Sequence, residues 1–264
     1  MKKIYLCTSW KMNLSVTESL EYANKLNDLI NEIIPANSLI EVYIFPDFLS
    51  LYPISLVLSK SRIKLGAQDC FWEDKGPYTG EISPWSLKAM GCDYVMAGHP
   101  ERVNYFKEDA TVINKKVKAI LRNNMTPALF VVEKEKKPEI KDTCNILKDQ
   151  LFPLLEGIEK KDLGKIVIFY EPACAIGTSS AAPVDHTRSI LAALREAIDN
   201  EYGKGTGTKQ IFMYGGGVTL ESARSIMELD NIDGVGMGKA ALNFDFFAGA
   251  IKAAVEIEKK LKKI

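Results

Sequence analysis

The stretch DYVMAGHPER, residues 93–102, joins a short apolar run directly to a group of polar residues. The run from Asp93 to Ala97 predicts a buried strand, because it is short, mostly apolar and bounded by a glycine. His99 then follows the C-terminal end of that strand, with Glu101 and Arg102 close behind. The chain contains only two histidines, so a histidine beside a carboxylate and a guanidinium at this place indicates a specific role.

Similar strand-like runs alternate with helical patterns along most of the chain. Eight such units in about 250 residues predict an α/β protein whose parallel sheet closes into a (β/α)8 barrel. An open, doubly wound sheet is the alternative. In a barrel, the active site lies at the C-terminal ends of the strands. Strands are expected at residues 4–8, 40–45, 63–67, 93–97, 127–132, 166–170, 210–214 and 232–237.

The helices are predicted from apolar residues that recur at helical spacing. Ser15 and Glu18 form a capping-box pattern at the start of the first helix. The second helix is expected to begin near Pro53, since proline suits a first helical turn. The segment after the third strand is the least regular. Helices are expected at or within residues 15–32, 51–58, 109–123, 138–159, 184–202, 220–229 and 244–263.

Composition limits the class of protein. The 264 residues are 47% hydrophobic and 26% charged, and no linker or low-complexity segment interrupts them, which predicts one domain over residues 1–264. A net charge of zero argues against nucleic acid or an anionic membrane as a partner. The pattern shows neither a signal peptide nor an apolar run that could span a bilayer. Five widely spaced cysteines without a C-x-x-C motif predict reduced thiols in the cytoplasm, with no disulfide framework and no zinc site.

Chemically active side chains follow three of the predicted strands. Lys11 follows the first strand, His99 the fourth and Glu171 the sixth, so a barrel would direct all three into one mouth. A carboxylate base, a neutral electrophile and a cation suit the removal of a proton next to a carbonyl. Lys11 could instead form a Schiff base, as in an aldolase, if its pKa were lowered.

Two turns after the last two strands predict a site for an anion. The first is Gly215 to Gly217 and the second is Gly238-Lys239, where barrels often bind phosphate through backbone N–H groups. Small residues and a proline follow Glu171, which favours a lid over the site. No nucleotide-binding motif and no cluster of metal ligands is present, so we expect neither cofactor nor metal.

Seven motifs, taken together, resemble those of the triosephosphate isomerase family. They occur in the family's order and spacing over nearly the whole chain, which makes coincidence implausible. The motifs are SWKMN (9–13), GAQD (66–69), YTGEISP (78–84), AGHPER (97–102), YEPACAIGTS (170–179), YGGGVT (214–219) and DGVGMGKAAL (233–242).

The resemblance implies a homodimeric, cytoplasmic TIM barrel that interconverts glyceraldehyde 3-phosphate and dihydroxyacetone phosphate through an enediol(ate). Glu171 would be the base and His99 a neutral imidazole that polarises the carbonyl. Lys11 would supply positive charge, and Glu101 would pair with Lys11. The substrate is then a small phosphorylated sugar, with no nucleic acid and no membrane involved.

Other positions acquire roles through the same resemblance. Thr79, in a protruding segment, would support the site of the neighbouring subunit, and residues 177–179 would close over the phosphate. The residues expected to bind the substrate or its phosphate are Ser9, Gly177, Gly217, Gly238 and Lys239.

Several positions depart from the family's pattern. Asparagine is usual where Ser9 stands, and a second glycine is usual where Lys239 stands. Ala173 and Cys174 replace a valine and a tryptophan at the hinge of the lid. Ser9 and Lys239 resemble a divergent branch that isomerises four-carbon ketose phosphates, so that substrate class stays open. A weakly catalytic protein that only binds phosphorylated metabolites is a further alternative.

Three other polar residues need an interpretation. His186 lies near the start of a predicted helix and is expected to be a solvated surface histidine. Glu133 follows the fifth strand and is interpreted equally well as a residue of the site or as an ordinary loop carboxylate. Gln68 is expected to be an amide that supports the site.

Overall fold

Eight parallel strands form a closed barrel, as a computed structural model of residues 2–133, 139–172 and 181–262 shows. Each strand pairs with its neighbours in sequence, and the eighth pairs with the first. The predicted (β/α)8 fold is therefore confirmed. The strands are β1 (Ile4–Ser9), β2 (Ile40–Phe45), β3 (Lys64–Ala67), β4 (Cys92–Ala97), β5 (Thr126–Val132), β6 (Val167–Glu171), β7 (Ile211–Tyr214) and β8 (Gly234–Met237).

Helices follow the strands and surround the barrel. A short 3-10 turn, Lys239–Leu242, separates β8 from the last helix. Across the described residues, no helix has the length and apolar character needed to cross a membrane. The helices are α1 (Val16–Ile33), α2 (Phe48–Leu58), α3 (Pro84–Ala89), α4 (Pro100–Phe106), α5 (Ala110–Arg122), α6 (Ile140–Leu154), α7 (Lys160–Leu163), α8 (Val184–Tyr202), α9 (Thr206–Lys209), α10 (Leu220–Met227) and α11 (Phe244–Leu261).

The second helix begins earlier than predicted. Asp47 precedes it, and its carboxylate accepts hydrogen bonds from the backbone N–H groups of Leu49 and Ser50. This cap starts the helix at Phe48, so Pro53 lies inside it rather than at its first turn. The prediction of a start near Pro53 was wrong, because a side-chain cap outweighs a proline further along the chain.

The strands divide the core into two layers, because successive side chains of a strand point to opposite faces. Along β1, Ile4 and Leu6 pack outward against the helices, whereas Tyr5 and Cys7 fill the barrel. The barrel is thus a packed interior, with the space for a substrate left at its end. The interior residues are Tyr5, Cys7, Tyr43, Phe45, Tyr94, Met96, Ala128, Phe130, Val167, Phe169 and Met213.

Four charged side chains join the loop after β3 to α4 and α5. Lys116 Nζ lies 2.6 Å from Asp69 Oδ1 and 2.6 Å from Glu108 Oε1. Arg102 Nε lies 2.8 Å from Asp69 Oδ2 and 2.6 Å from Glu108 Oε1. Lys116 is only 3% exposed, so its two ion pairs are shielded from water. The cluster fixes α4, the helix that carries His99 at its start, against the barrel.

Candidate active site

Lys11 follows β1 and has a left-handed backbone, with φ at 54°. Its carbonyl accepts a hydrogen bond of 2.9 Å from Gln68 Nε2, which also donates to the carbonyl of Phe45 at 3.0 Å. The ammonium group of Lys11 pairs with the carboxylate of Glu101. Gln68 therefore holds the main chain of Lys11, while Glu101 directs its side chain.

His99 is the N-cap residue of α4, directly beyond β4. Its Nδ1 accepts a hydrogen bond from the backbone N–H of Glu101 at 3.2 Å, so Nδ1 carries no proton. Burial, reinforced by the charge of Lys11, lowers the pKa of His99 to about 4, although Glu101 opposes the shift. The ring is neutral at pH 7 and has its Nε2–H available as a donor.

Glu171 ends β6, and its side chain is half-buried. Burial raises its pKa to about 7, the charge of Lys11 opposing the shift and that of Glu101 adding to it. Its carbonyl accepts a hydrogen bond from the N–H of Glu133 at 2.8 Å, and the carbonyl of Tyr170 accepts one from Gly215 at 2.9 Å. A firmly held backbone thus presents a carboxylate whose pKa suits a general base near neutral pH.

The glycine turns after β7 and β8 lie side by side, since these two strands pair. Gly216 and Gly217 adopt left-handed backbones, with φ at 80° and 32°. A side-chain carbon added at Gly238 would have no atom within 4 Å, so the space beside this glycine is open. Lys239 is exposed next to it. Two turns and a cation at one edge of the mouth are suited to an anionic group.

The remaining predicted site residues are placed less centrally or lie outside the described residues. Ser9 ends β1, and its Oγ accepts the backbone N–H of Lys11 at 3.3 Å. Thr79 is exposed in the loop after β3. Gly177 lies outside the described residues, as do the hinge residues Ala173 and Cys174 and the segment 177–179 that is expected to close over the phosphate. In the described part of the chain, no group of three or more His, Cys, Asp or Glu side chains could hold a metal ion.

The arrangement combines a carboxylate suited to act as a base, a neutral imidazole that can donate a proton, and a cation, beside an edge suited to an anion. A family model described as triosephosphate isomerase matches residues 4–254. The chain belongs to the triosephosphate isomerase family. Proteins of this family are themselves a standard example of a neutral histidine at a helix N-terminus working with a glutamate base.

Curated relatives with the name triosephosphate isomerase cover almost the full length of the chain. The protein of Alkaliphilus metalliredigens is 38% identical over 251 residues, which is 95% of this chain and 99% of the relative. That of Dehalococcoides mccartyi is 37% identical over 260 residues, or 98% and 100%. That of Dictyoglomus thermophilum is 36% identical over 253 residues, or 96% and 100%. The predicted membership of the triosephosphate isomerase family is confirmed.

His186 is not the solvated surface residue that the sequence predicted. Its side chain is 13% exposed, and its Nε2 lies 3.1 Å from Glu133 Oε2. Glu133 is only 3% exposed and also accepts a hydrogen bond of 2.5 Å from the hydroxyl of Tyr170. A buried carboxylate requires such partners. The start of α8 packs against the ends of β5 and β6, a contact between distant segments that helical periodicity does not reveal.

Gly215 lies against Glu171, although the sequence placed it only in the predicted phosphate turn. A side-chain carbon at Gly215 would lie 2.9 Å from Cγ and 3.0 Å from Oε1 of Glu171. The absence of a side chain therefore leaves room for the base. The signal in the sequence was three successive glycines, which did not show that the first of them faces Glu171.

The variant Gly215→Ala is expected to displace the carboxylate of Glu171 and to lower kcat about tenfold or more, as small misplacements of catalytic groups do. Steady-state kinetics measure the loss, and circular dichroism verifies the fold. Gly164→Ala is the matched control, since a side-chain carbon at Gly164 would meet only the carbonyl oxygen of Lys209, at an ordinary contact distance of 3.8 Å. Equal activity of the two variants would show that Gly215 does not position the base.

Proposed function

We propose that this chain interconverts glyceraldehyde 3-phosphate and dihydroxyacetone phosphate by proton transfer through an enediol(ate). The observation that carries the proposal is the half-buried Glu171, with a pKa of about 7, in one mouth with neutral His99 and with Lys11. Membership of the triosephosphate isomerase family supports the same activity.

In the proposed reaction, the carboxylate of Glu171 removes a proton from the carbon next to the substrate carbonyl. The electrons of that C–H bond form the carbon–carbon double bond of the enediol(ate), and the carbonyl oxygen accepts a proton from Nε2 of His99. The ammonium of Lys11 stabilises the negative charge that develops on oxygen. Glu171 then returns its proton to the carbon that carried the carbonyl, while the other enediol hydroxyl gives its proton back to Nε2 of His99. The carbonyl has then moved to the neighbouring carbon, and both side chains are restored. Glu101 keeps Lys11 in position through their ion pair.

The phosphate end of the substrate is assigned to the last two strands. Backbone N–H groups near Gly217 and Gly238 would bind the phosphate oxygens, and Lys239 would add positive charge. Gly177 would contribute from the lid. Ser9 would contact the sugar end, because it is next in the chain to Trp10 and Lys11.

We further propose that residues 1–264 form one barrel domain that acts in the cytoplasm, in carbohydrate metabolism such as glycolysis and gluconeogenesis.

We also propose that the chain assembles into a homodimer, in which Thr79 supports the site of the partner. Exposed apolar side chains on the elements that follow β1 to β4 support this assembly. Light scattering coupled to size exclusion measures the mass, and a monomer at all protein concentrations would contradict this assembly. The exposed apolar residues are Met12, Leu49, Tyr52, Leu56, Tyr78, Trp85, Tyr105 and Phe106.

Steady-state kinetics in both directions test the proposed activity. We expect turnover of glyceraldehyde 3-phosphate and dihydroxyacetone phosphate without added metal or cofactor. The Glu171→Gln variant is the control for contaminating host enzyme. Binding of inorganic phosphate with turnover no greater than that of this control would favour the binding protein over the isomerase.

The same chemistry on a four-carbon ketose phosphate is a second candidate, favoured by the small side chain of Ser9 at the site. The relatives reported above all carry the name triosephosphate isomerase, so they give this substrate no advantage over the triose. Replacing Ser9 with asparagine is expected to lower the rate on erythrulose phosphates relative to trioses if Ser9 provides space for the extra carbon. An unchanged ratio of the two rates would remove Ser9 as a determinant of substrate size.

A further inference from the structure

His99 is in contact with Phe130, the first of two stacked phenylalanines inside the barrel. The ring centroids of His99 and Phe130 are 4.9 Å apart at an interplanar angle of 67°. Phe130 in turn stacks on Phe169, with centroids 4.8 Å apart and an angle of 15°. The two phenylalanines are register partners on β5 and β6. They form a continuous aromatic column that ends at the imidazole.

The column is firmly supported below. Phe169 is 2% exposed, and a side-chain carbon at Gly236 of β8 would lie 2.7 Å from its ring. Phe169 therefore packs directly on the backbone of β8. Phe130, itself 7% exposed, is held between this rigid ring and His99.

The imidazole has one hydrogen-bond restraint that the structure shows, the bond that Nδ1 accepts from Glu101. A single bond of 3.2 Å at Nδ1 restrains the ring on one side but leaves it some rotation about the Cβ–Cγ bond. Contact with the ring of Phe130 removes that freedom, because aromatic pairs prefer edge-to-face geometry. We propose that Phe130 is a positioning residue that fixes the plane of the His99 ring, so that Nε2–H faces the carbonyl of the substrate.

Phe130 also changes the environment of the ring. The charged groups around His99 are Lys11 after β1, and Glu101 and Arg102 on α4. From β5, Phe130 adds neither a charge nor a hydrogen-bond acceptor and keeps water away from the imidazole. Burial is the largest cause of the lowered pKa of His99, and Phe130 supplies part of that burial. The role in catalysis rests on the proposed function, whereas the role in ring orientation does not.

The test compares Phe130→Leu with Phe212→Leu. Phe212 is a fully buried phenylalanine on β7 that belongs to the outer layer of the core, so its replacement controls for loss of aromatic volume. Phe130→Met is the second variant, should Phe130→Leu not fold. The measurements are kcat, KM and the nitrogen-15 resonances of the His99 ring over pH. The His186→Asn variant assigns those resonances, because the chain has only two histidines.

In the parent protein and in Phe212→Leu, we expect Nδ1 to stay unprotonated and the ring to remain neutral from pH 8 down to pH 5. In Phe130→Leu, the nitrogen-15 resonances of the two nitrogens of the His99 ring should become more alike. The titration midpoint of His99 should rise toward about 6.5, the value of a solvated histidine. We expect kcat to fall on the order of tenfold or more, with KM little changed.

Unaltered ring resonances in both Phe130 variants would overturn the proposal, even if kcat fell. An equal loss of kcat in Phe212→Leu would also overturn it. Failure of the proposed function gives a different result, since the parent protein would then lack turnover while the resonances still report whether Phe130 orients His99.

Discussion

Replacement of Glu171 by glutamine is expected to lower kcat at least about 1,000-fold, within the range that a general acid–base group contributes. The amide has nearly the same shape, and it cannot accept the proton. The backbone of Glu171 is held by Glu133, so the variant should keep the barrel intact. Steady-state kinetics measure the loss, and unchanged circular dichroism shows that it is chemical.

The pH dependence follows from the raised pKa of Glu171, about 7. As the pH falls through 7, the carboxylate takes up a proton and can no longer act as base, so kcat/KM should fall toward acid pH. The neutral His99, with its pKa lowered to about 4, should not titrate in this range. A pH profile of the parent protein that is flat from pH 8 to pH 5 would contradict Glu171 as the titrating base.

The free energy of unfolding should increase in Glu171→Gln, although kcat falls. The pKa of Glu171 is higher in the folded chain than the ordinary value of 4.5. Its contribution to stability is therefore fully present below pH 4.5 and is lost as the pH rises through about 7. Glutamine does not ionise, so Glu171→Gln should gain stability relative to the parent protein between pH 5 and pH 8. Urea unfolding at these two pH values measures the difference.

The second large effect is expected at Lys116. Lys116→Met removes one of the two cations from the buried cluster and leaves Asp69 and Glu108 to share Arg102. Breaking a buried ion pair from one side lowers the free energy of unfolding by about 3–5 kcal/mol, because a buried charge loses its partner. Urea unfolding at a fixed protein concentration measures the loss.

Lys118→Met is the matched control, since Lys118 is exposed on the same helix. We expect it to change the free energy of unfolding by less than about 0.5 kcal/mol. Adding Asp69→Asn to Lys116→Met should restore part of the loss, because one carboxylate fewer is then left underpaired. Equal stability of Lys116→Met and Lys118→Met would show that the cluster does not stabilise the fold.

The fold was predictable where a signal is local. The run from Asp93 to Ala97 is short, apolar and followed by polar residues, and β4 occupies Cys92–Ala97. The same pattern placed His99 and Glu171 after their strands. The short helices α3 and α4 contain too few residues for a periodic pattern, so the predicted helices do not include them.

The parts that sequence reasoning missed depend on contacts between distant segments. Glu133 and His186 are 53 residues apart and meet only because α8 packs across the ends of β5 and β6. The contact of Phe130 with His99 depends on which face of β5 enters the barrel. The need for a glycine at position 215 is not visible in the sequence. It becomes clear in the structure, where a side-chain carbon at this position would lie 2.9 Å from Cγ of Glu171.

The left-handed backbone of Lys11 has a consequence for directed evolution of this protein. Such a conformation costs a residue other than glycine about 1–2 kcal/mol, and it lies at a position proposed for the reaction. Lys11→Gly is expected to raise the melting temperature while abolishing turnover. Libraries ranked by thermal stability alone would therefore enrich inactive variants at this position, and each round of selection needs a catalytic assay to retain the lysine.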